Sequence, residues 1–424
     1  MSSPLYLLKT RRFAPLFGTQ FLGAFNDNLF KNTLAVILTF QGAQWTTIDV
    51  SLLAPIIGAI FILPFFLFSG MAGELADRYD KARLVRVVKV SEIFLMILAT
   101  IGFYLHSFEL LLLIVFGMGM HSTLFGPIKY SIIPQHMEEN ELITANALVE
   151  SGTFAAILLG TILGGLLSIF PNGGIIASCV ATLLAITGYI ISRFIPTAPS
   201  LIPRAPISLN LPMQTLNALR LAYDNRIVFL SILAISWFWL YGALLLSQFP
   251  TLVKTILMGN ETTVTLMLSL FTLGIGIGSI LCERLSAHTI RPSLIVVGAI
   301  GMAIFGIDFA LSTQAFHIHA ALYEMMEFWH ILVDLVFIGI FGGLYSVPLY
   351  ALMQARSDAK VRSRIISANN ILNALFMVSG AIATILLLQS GWNIPDILLG
   401  TALLTAVVAI TIALKIKNQG KMKV

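Results

Sequence analysis

The chain has 424 residues, and its 25 Lys and Arg and 20 Asp and Glu amount to 11 % charged, less than half the roughly 25 % of a soluble globular protein. Hydrophobic residues make up 58 %, and the mean hydropathy is +0.92. A soluble enzyme, a disordered chain and a secreted disulfide scaffold are excluded, which leaves an integral membrane protein.

A spanning helix needs roughly 20 mostly apolar residues. Twelve stretches qualify: 13–40, 50–71, 84–105, 109–134, 141–169, 174–195, 227–254, 262–285, 292–311, 327–354, 364–389 and 394–416. Lipid offers no partner to unpaired backbone groups, so the fold class is an all-α membrane protein. Runs such as 110–113 and 385–388 lack the alternation of a barrel strand.

Lys9, Arg11 and Arg12 precede the first span, which is longer than the roughly 7–15 residues of a cleavable signal core. Its middle carries Asn26, Asp27, Asn28, Lys31 and Asn32. A charge at mid-span costs roughly 2.5–3.5 kcal/mol on insertion scales. Asp27 and Lys31 are four apart and can pair along one face. One reading is a self-neutralised structural pair or a Lys that snorkels; the other is a polar site facing a cavity.

Between spans two and three runs Gly73-Glu74-Leu75-Ala76-Asp77-Arg78-Tyr79-Asp80-Lys81-Ala82-Arg83. Gly73 lets two helices approach. Asp77 can cap a neighbouring helix and pair with a basic residue, with Arg78 and Arg83 nearby. Lys129 and Tyr130 lie in span four and Glu150 in span five. Asp27, Lys129 and Glu150 form a zwitterion-reading set, carboxylates for an amine and lysine for a phosphate.

The segment 196–226 contains Pro196, Pro199, Pro203, Pro206 and Pro212. It divides the spans six and six, with a short amphipathic helix expected around 213–224. The expected domains are an N-terminal bundle at 1–195, a linker at 196–226 and a C-terminal bundle at 227–424.

Span seven carries Trp237, Phe238, Trp239, Tyr241 and Gln248, and span eleven carries Asn369, Asn370 and Asn373. Packing competes with ligand contact for all of these. Asp334 in span ten is a further site candidate, and Asp308 in span nine reads as structural. Gly160 and Gly164 give a small-residue packing face, and Gly274, Gly276 and Gly278 lie in a membrane helix and make no phosphate loop.

The halves echo one another. Thr144-Ala145-Asn146 matches Ser367-Ala368-Asn369, Gly126-Pro127-Ile128-Lys129-Tyr130 matches Val347-Pro348-Leu349-Tyr350, and Asp77-Arg78 matches Glu283-Arg284. Tyr350 thereby joins the substrate-site candidates, and Glu283 and Arg284 join the gating set. Three matches in consistent order point to two pseudo-symmetric six-helix bundles around a central site.

Twenty-two of the 25 Lys and Arg fall in 1–12, 78–89, 193–226, 284–291, 356–364 and 415–423, all on one side of a twelve-span arrangement. The positive-inside rule puts that side, and both termini, in the cytoplasm. The net charge of +5 therefore marks topology, not nucleic-acid binding. Cys179 and Cys282 have no Cys-x-x-Cys spacing and are expected to be buried small hydrophobes. No metal and no cofactor is expected.

The loop 73–83 resembles the signature of the major facilitator superfamily, with Asp80 where that signature has a second glycine. The stretches 21–32, 125–131, 146–160 and 235–239 resemble the bacterial lysophospholipid transporters of that superfamily, closest to the transporter half of acyltransferase fusions. The resemblance implies movement of lysophosphatidylethanolamine and lysophosphatidylglycerol across the bacterial inner membrane for re-acylation, with Asp27, Lys129 and Glu150 in the site. Stand-alone members carry an arginine in span seven where this chain reads Leu246-Ser247-Gln248. None of the seven His has an Asp five residues on, so acyl transfer falls to a separate cytoplasmic acyltransferase as expected partner. Two other functions stay open: a proton-coupled transporter of a drug-like or siderophore-like amphipath, and a non-transporting partner that recruits an acyltransferase through 196–226.

Overall fold

The computed structural model describes residues 4–41, 45–48, 50–202, 210–287 and 289–421. Pro203, Arg204, Pro206 and Lys423 lie outside the described residues. Helices dominate: α1 Ala14–Gln41, α2 Val50–Arg78, α3 Lys81–Tyr104, α4 Phe108–His136, α5 Leu142–Ser168, α6 Gly173–Ser192, α7 Leu211–Asp224, α8 Arg226–Leu252, α9 Glu261–Ser286, α10 Pro292–Gln314, α11 Met326–Arg356, α12 Arg362–Gln389 and α13 Ile394–Lys421.

All but α7 are 20 residues or longer. Ten of these twelve are long and apolar enough to cross a membrane. The other two are α1, with Asn26, Asp27, Asn28, Lys31 and Asn32, and α3, with Lys81, Arg83, Arg86, Lys89 and Glu92. The polar groups fall at the middle of α1 and in the N-terminal half of α3, and several of them find partners inside the protein. Exposed apolar side chains such as Phe94 on α3, Leu183 on α6, Ile304 on α10 and Ile410 on α13 make the lipid-facing surface that no soluble monomer carries. The protein is a multi-pass membrane protein.

The helices gather into two compact units. The first comprises Met1–Glu139, Ala155–Phe229 and Gln354–Ala374, and the second Asn140–Phe154, Leu230–Met353 and Leu375–Val424. The units therefore cut α5 and α12, and the N-terminal part of each joins the unit built mainly from the other half of the sequence.

In the first unit α2 packs on α4, α3 on α4 and α6, and α1 on α6. Leu29, Phe30, Leu34, Met96, Phe103 and Met118 form part of its apolar core. Gly160 and Gly164 press α5 against the α1 backbone at Phe25 and Leu29, the close approach that small residues permit between membrane helices. The amphipathic α7 lies on α2: Gln214, Ala218 and Ala222, spaced four apart, are its buried face, and Gln214 Nε2 donates to Glu74 Oε2 at 2.6 Å. In the second unit α10 packs on α13, and Gly274 and Gly278 bring α9 onto the α11 backbone.

Two expectations are corrected. Cys179 is exposed on α6, while Cys282 is buried. Lys89, grouped with the surface positives of 78–89, is fully buried, because an acidic partner three residues along the same helix takes its charge.

Candidate functional site

The first unit contains a buried polar network between α1, α3 and α4. Lys89 Nζ lies 2.5 Å from Glu92 Oε2, both with no exposed surface. Asn26 Nδ2 donates to Glu92 Oε1 at 2.7 Å. His121 Nε2 lies 3.2 Å from Glu92 Oε2. One carboxylate is thus surrounded by an ammonium, an amide and an imidazole, the arrangement a buried charge requires. Lys89, Glu92 and His121 were missed in the sequence reading.

Asp27, on the next residue of α1, accepts from Ser122 Oγ at 2.5 Å. Its other oxygen, Oδ1, is buried without a hydrogen bond. Lys31, four residues on and within electrostatic reach of Asp27, also has its Nζ 3.8 Å from the centre of the Phe61 ring. Asn28 Nδ2 donates to the Ala24 carbonyl at 2.7 Å, and Asn32 Nδ2 to the Thr161 carbonyl at 2.8 Å. These two amides bind helix backbone.

Lys129 Nζ stands 4.4 Å from the Tyr130 ring centre, a cation–π distance. Lys129 belongs to the first unit, as Asp27 does, and Glu150, fully buried on α5, belongs to the second. Asn370 and Asn373 on α12 are buried and also belong to the first unit.

The second unit holds an aromatic set. Trp239 Nε1 donates to Tyr350 Oη at 2.8 Å, and the Trp239 ring stacks on Phe154 with centroids 6.2 Å apart and planes 17° from parallel. Tyr241 is buried on the same helix. Gln248 donates to the neighbouring Ser247 Oγ at 3.1 Å. Asp334 is buried on α11, near His330 and Asp308.

The α2–α3 loop joins α2 to α12. Asp77 Oδ1 accepts from the Ser363 N–H at 2.9 Å, and Oδ2 accepts from the Arg364 N–H at 3.3 Å and from Arg364 Nε at 3.1 Å. These are first-turn donors of α12, which have no partner within their own helix. A side chain at Gly73 would come 2.6 Å from Ser367 Oγ and 2.8 Å from the Arg364 Cα, so only glycine admits this approach. Arg78 pairs with Glu74 at 2.6 Å. Asp80, in place of the signature's second glycine, is the N-cap of α3 at φ −60°, where any residue fits, and accepts from the Arg83 N–H. The Arg83 side chain is exposed. Burial pushes the pKa of Lys81, beside this junction, down, against the pull of Asp77.

The repeat of this junction lies in the second unit. Glu283 Oε1 accepts from Thr144 Oγ1 of α5 at 3.2 Å. Arg284 is exposed. At the 223-residue offset that sets Thr144 against Ser367, the position equivalent to Arg364 is Glu141, so the guanidinium is replaced by a carboxylate.

A membrane bundle with charges buried at its helix interfaces and an acid-capped helix junction defines a membrane carrier. The sequence pattern of the Major Facilitator Superfamily matches residues 16–377, and the chain belongs to that superfamily of transporters. Relatives named Lysophospholipid transporter LplT are 29 % identical in Enterobacter sp. (strain 638), covering 81 % of this chain and 80 % of the relative, and 28 % identical in Serratia proteamaculans (strain 568), covering 84 % and 82 %. Among solved structures, the fold is similar to the human organic anion transporter MFSD10 (TM-score 0.75, 13 % identity, 95 % and 99 % covered). It is also similar to the Escherichia coli fucose:proton symporter FucP (TM-score 0.71, 14 % identity, 95 % and 98 % covered).

Proposed function

We propose that this chain is a secondary transporter that moves lysophospholipids across the membrane by alternating access. The observation that carries the reading is the α1–α3–α4 network, in which Asp27 keeps one buried carboxylate oxygen without a hydrogen bond. Such an oxygen accepts the ammonium of an ethanolamine headgroup. Relatives named for lysophospholipid transport at 27–29 % identity support it, and the aromatic set at Trp239 suits an acyl chain.

In this reading Asn26, Asp27 and Lys129 of the first unit meet the headgroup, and Asp77 and Gly73 hold the gate. The two repeats are the bundles 1–195 and 227–424, joined by 196–226. The protein sits in the bacterial inner membrane with both termini in the cytoplasm, as its Lys and Arg distribution favours. A separate cytoplasmic acyltransferase consumes the delivered lipid.

The test is uptake of headgroup-labelled lysophosphatidylethanolamine into proteoliposomes containing the purified protein. Uptake well above that of protein-free vesicles is expected, without need of a proton gradient. No uptake of any lysophospholipid, with gradient-dependent uptake of another amphipath, would overturn the reading in favour of proton-coupled transport.

A further inference from the structure

We infer that Asp308, His330 and Asp334 form a binding site for a divalent transition-metal cation of the zinc type. The site is separate from the α1–α3–α4 network and holds whether or not the substrate is a lysophospholipid. Asp308 lies in the last two turns of α10, and His330 and Asp334 lie in the first three turns of α11. The two helix ends are joined by residues 315–325, so the three side chains meet at one end of a helical hairpin.

One ligand atom from each side chain lies within 4.8 Å of the other two. His330 Nε2 is 3.0 Å from Asp308 Oδ2 and 3.7 Å from Asp334 Oδ2. Ligands about 2.0–2.1 Å from a tetrahedral zinc stand about 3.3 Å apart. Two of the three separations are therefore already close to that spacing, and the third lies within 4.8 Å.

Asp334 supplies the second observation. Its side chain is 2 % exposed, and Oδ2, the oxygen facing His330, is buried and takes no hydrogen bond. An acceptor left so costs about 1–3 kcal/mol, more when charged. A cation in the cluster removes that cost and the repulsion between the two carboxylates. Asp308 and His330 are about half exposed, which gives an ion a path of entry and leaves room for water as fourth ligand. An imidazole with two carboxylates favours zinc or another first-row divalent ion over magnesium, which prefers oxygen ligands alone. His330 and Asp334 are four apart on α11, the spacing that places two ligands on one helix face.

Purified full-length protein, carried on a tag without histidine, is dialysed against micromolar zinc chloride, and bound metal is counted. One zinc per chain is expected, with a rise in thermal midpoint that magnesium chloride does not give. Asp334→Asn keeps the buried shape, and His330→Ala changes an exposed residue, so both should fold. Each should weaken zinc binding at least tenfold. Replacement of the exposed loop residues His317 and His319 by Ala should leave it unchanged. No zinc on the wild-type protein, zinc retained in both site variants, or zinc lost only with His317 and His319 would each overturn the proposal.

Discussion

Asp77 at the end of α2 holds Arg364 in the first turn of α12, with carboxylate oxygen and guanidine nitrogen 3.1 Å apart. The same carboxylate accepts the backbone N–H groups of Ser363 and Arg364. Asp77 therefore acts as a helix cap supplied by a different helix. Loss of a capping carboxylate costs about 0.5–2 kcal/mol. Asp77→Ala is expected to lower the thermal midpoint by a few degrees and to reduce lysophospholipid uptake strongly. Arg364→Ala, which leaves the two backbone donors capped, should cost less in both measurements. Equal effects of the two variants would contradict this division of roles.

Gly73 permits that contact. Its Cβ position collides with the backbone of α12, whereas nothing lies within 4 Å of the Cβ position of Gly276 on α9. Gly73→Ala is expected to separate α2 from α12 and to impair transport at least tenfold. Gly276→Ala should be neutral or gain up to about 1 kcal/mol, the usual benefit of Ala over Gly inside a helix. Midpoints and uptake of the two variants, side by side, test the point.

The Lys89–Glu92 pair is buried at both ends. Removing one member leaves a charge in the core and costs about 3–5 kcal/mol. Lys89→Met and Glu92→Gln are each expected to lower folded yield sharply. The double variant should recover part of the loss, because no uncompensated charge remains. A double-mutant cycle on thermal midpoints reads this directly, and purely additive losses would rule out the coupling.

Asp27→Asn preserves shape and the contact with Ser122 while removing the charge. It is expected to cut uptake of lysophosphatidylethanolamine at least tenfold with the midpoint nearly unchanged. Ser122→Ala removes one hydrogen bond, worth about 1.5–3 kcal/mol where one partner is charged, and should lower stability more than uptake.

Trp239→Phe removes the hydrogen bond to Tyr350 but keeps a ring on Phe154. The expected loss is about 0.5–1.5 kcal/mol. Trp239→Ala loses the stacking as well and should fall further, though by less than the about 3–5 kcal/mol of a full core truncation, because the ring is only partly buried. Thermal midpoints separate the two.

Apolar length and the distribution of positive charge made the helical membrane fold legible, since both are one-dimensional properties. Asn26 and Asp27 stood out for the same reason, as polar residues in an apolar run. Lys89 did not, because it follows Lys81, Arg83 and Arg86 in a series that topology already explains. Its partner Glu92 is three residues on, but the amide and imidazole that complete the network come from positions 26 and 121, and no local pattern joins them. Asp80 was legible only as a missing glycine. Its backbone angles turned out to need none, since the residue is the N-cap of α3 in an extended conformation.

The unequal junctions of the two repeats have a mechanical consequence. In the α2–α12 junction a carboxylate grips a guanidinium and two backbone amides. In its counterpart the Glu283 carboxylate accepts the Thr144 hydroxyl, and the guanidinium position is Glu141. The α2–α12 junction hangs on one carboxylate with three donors, so it parts from all of them together.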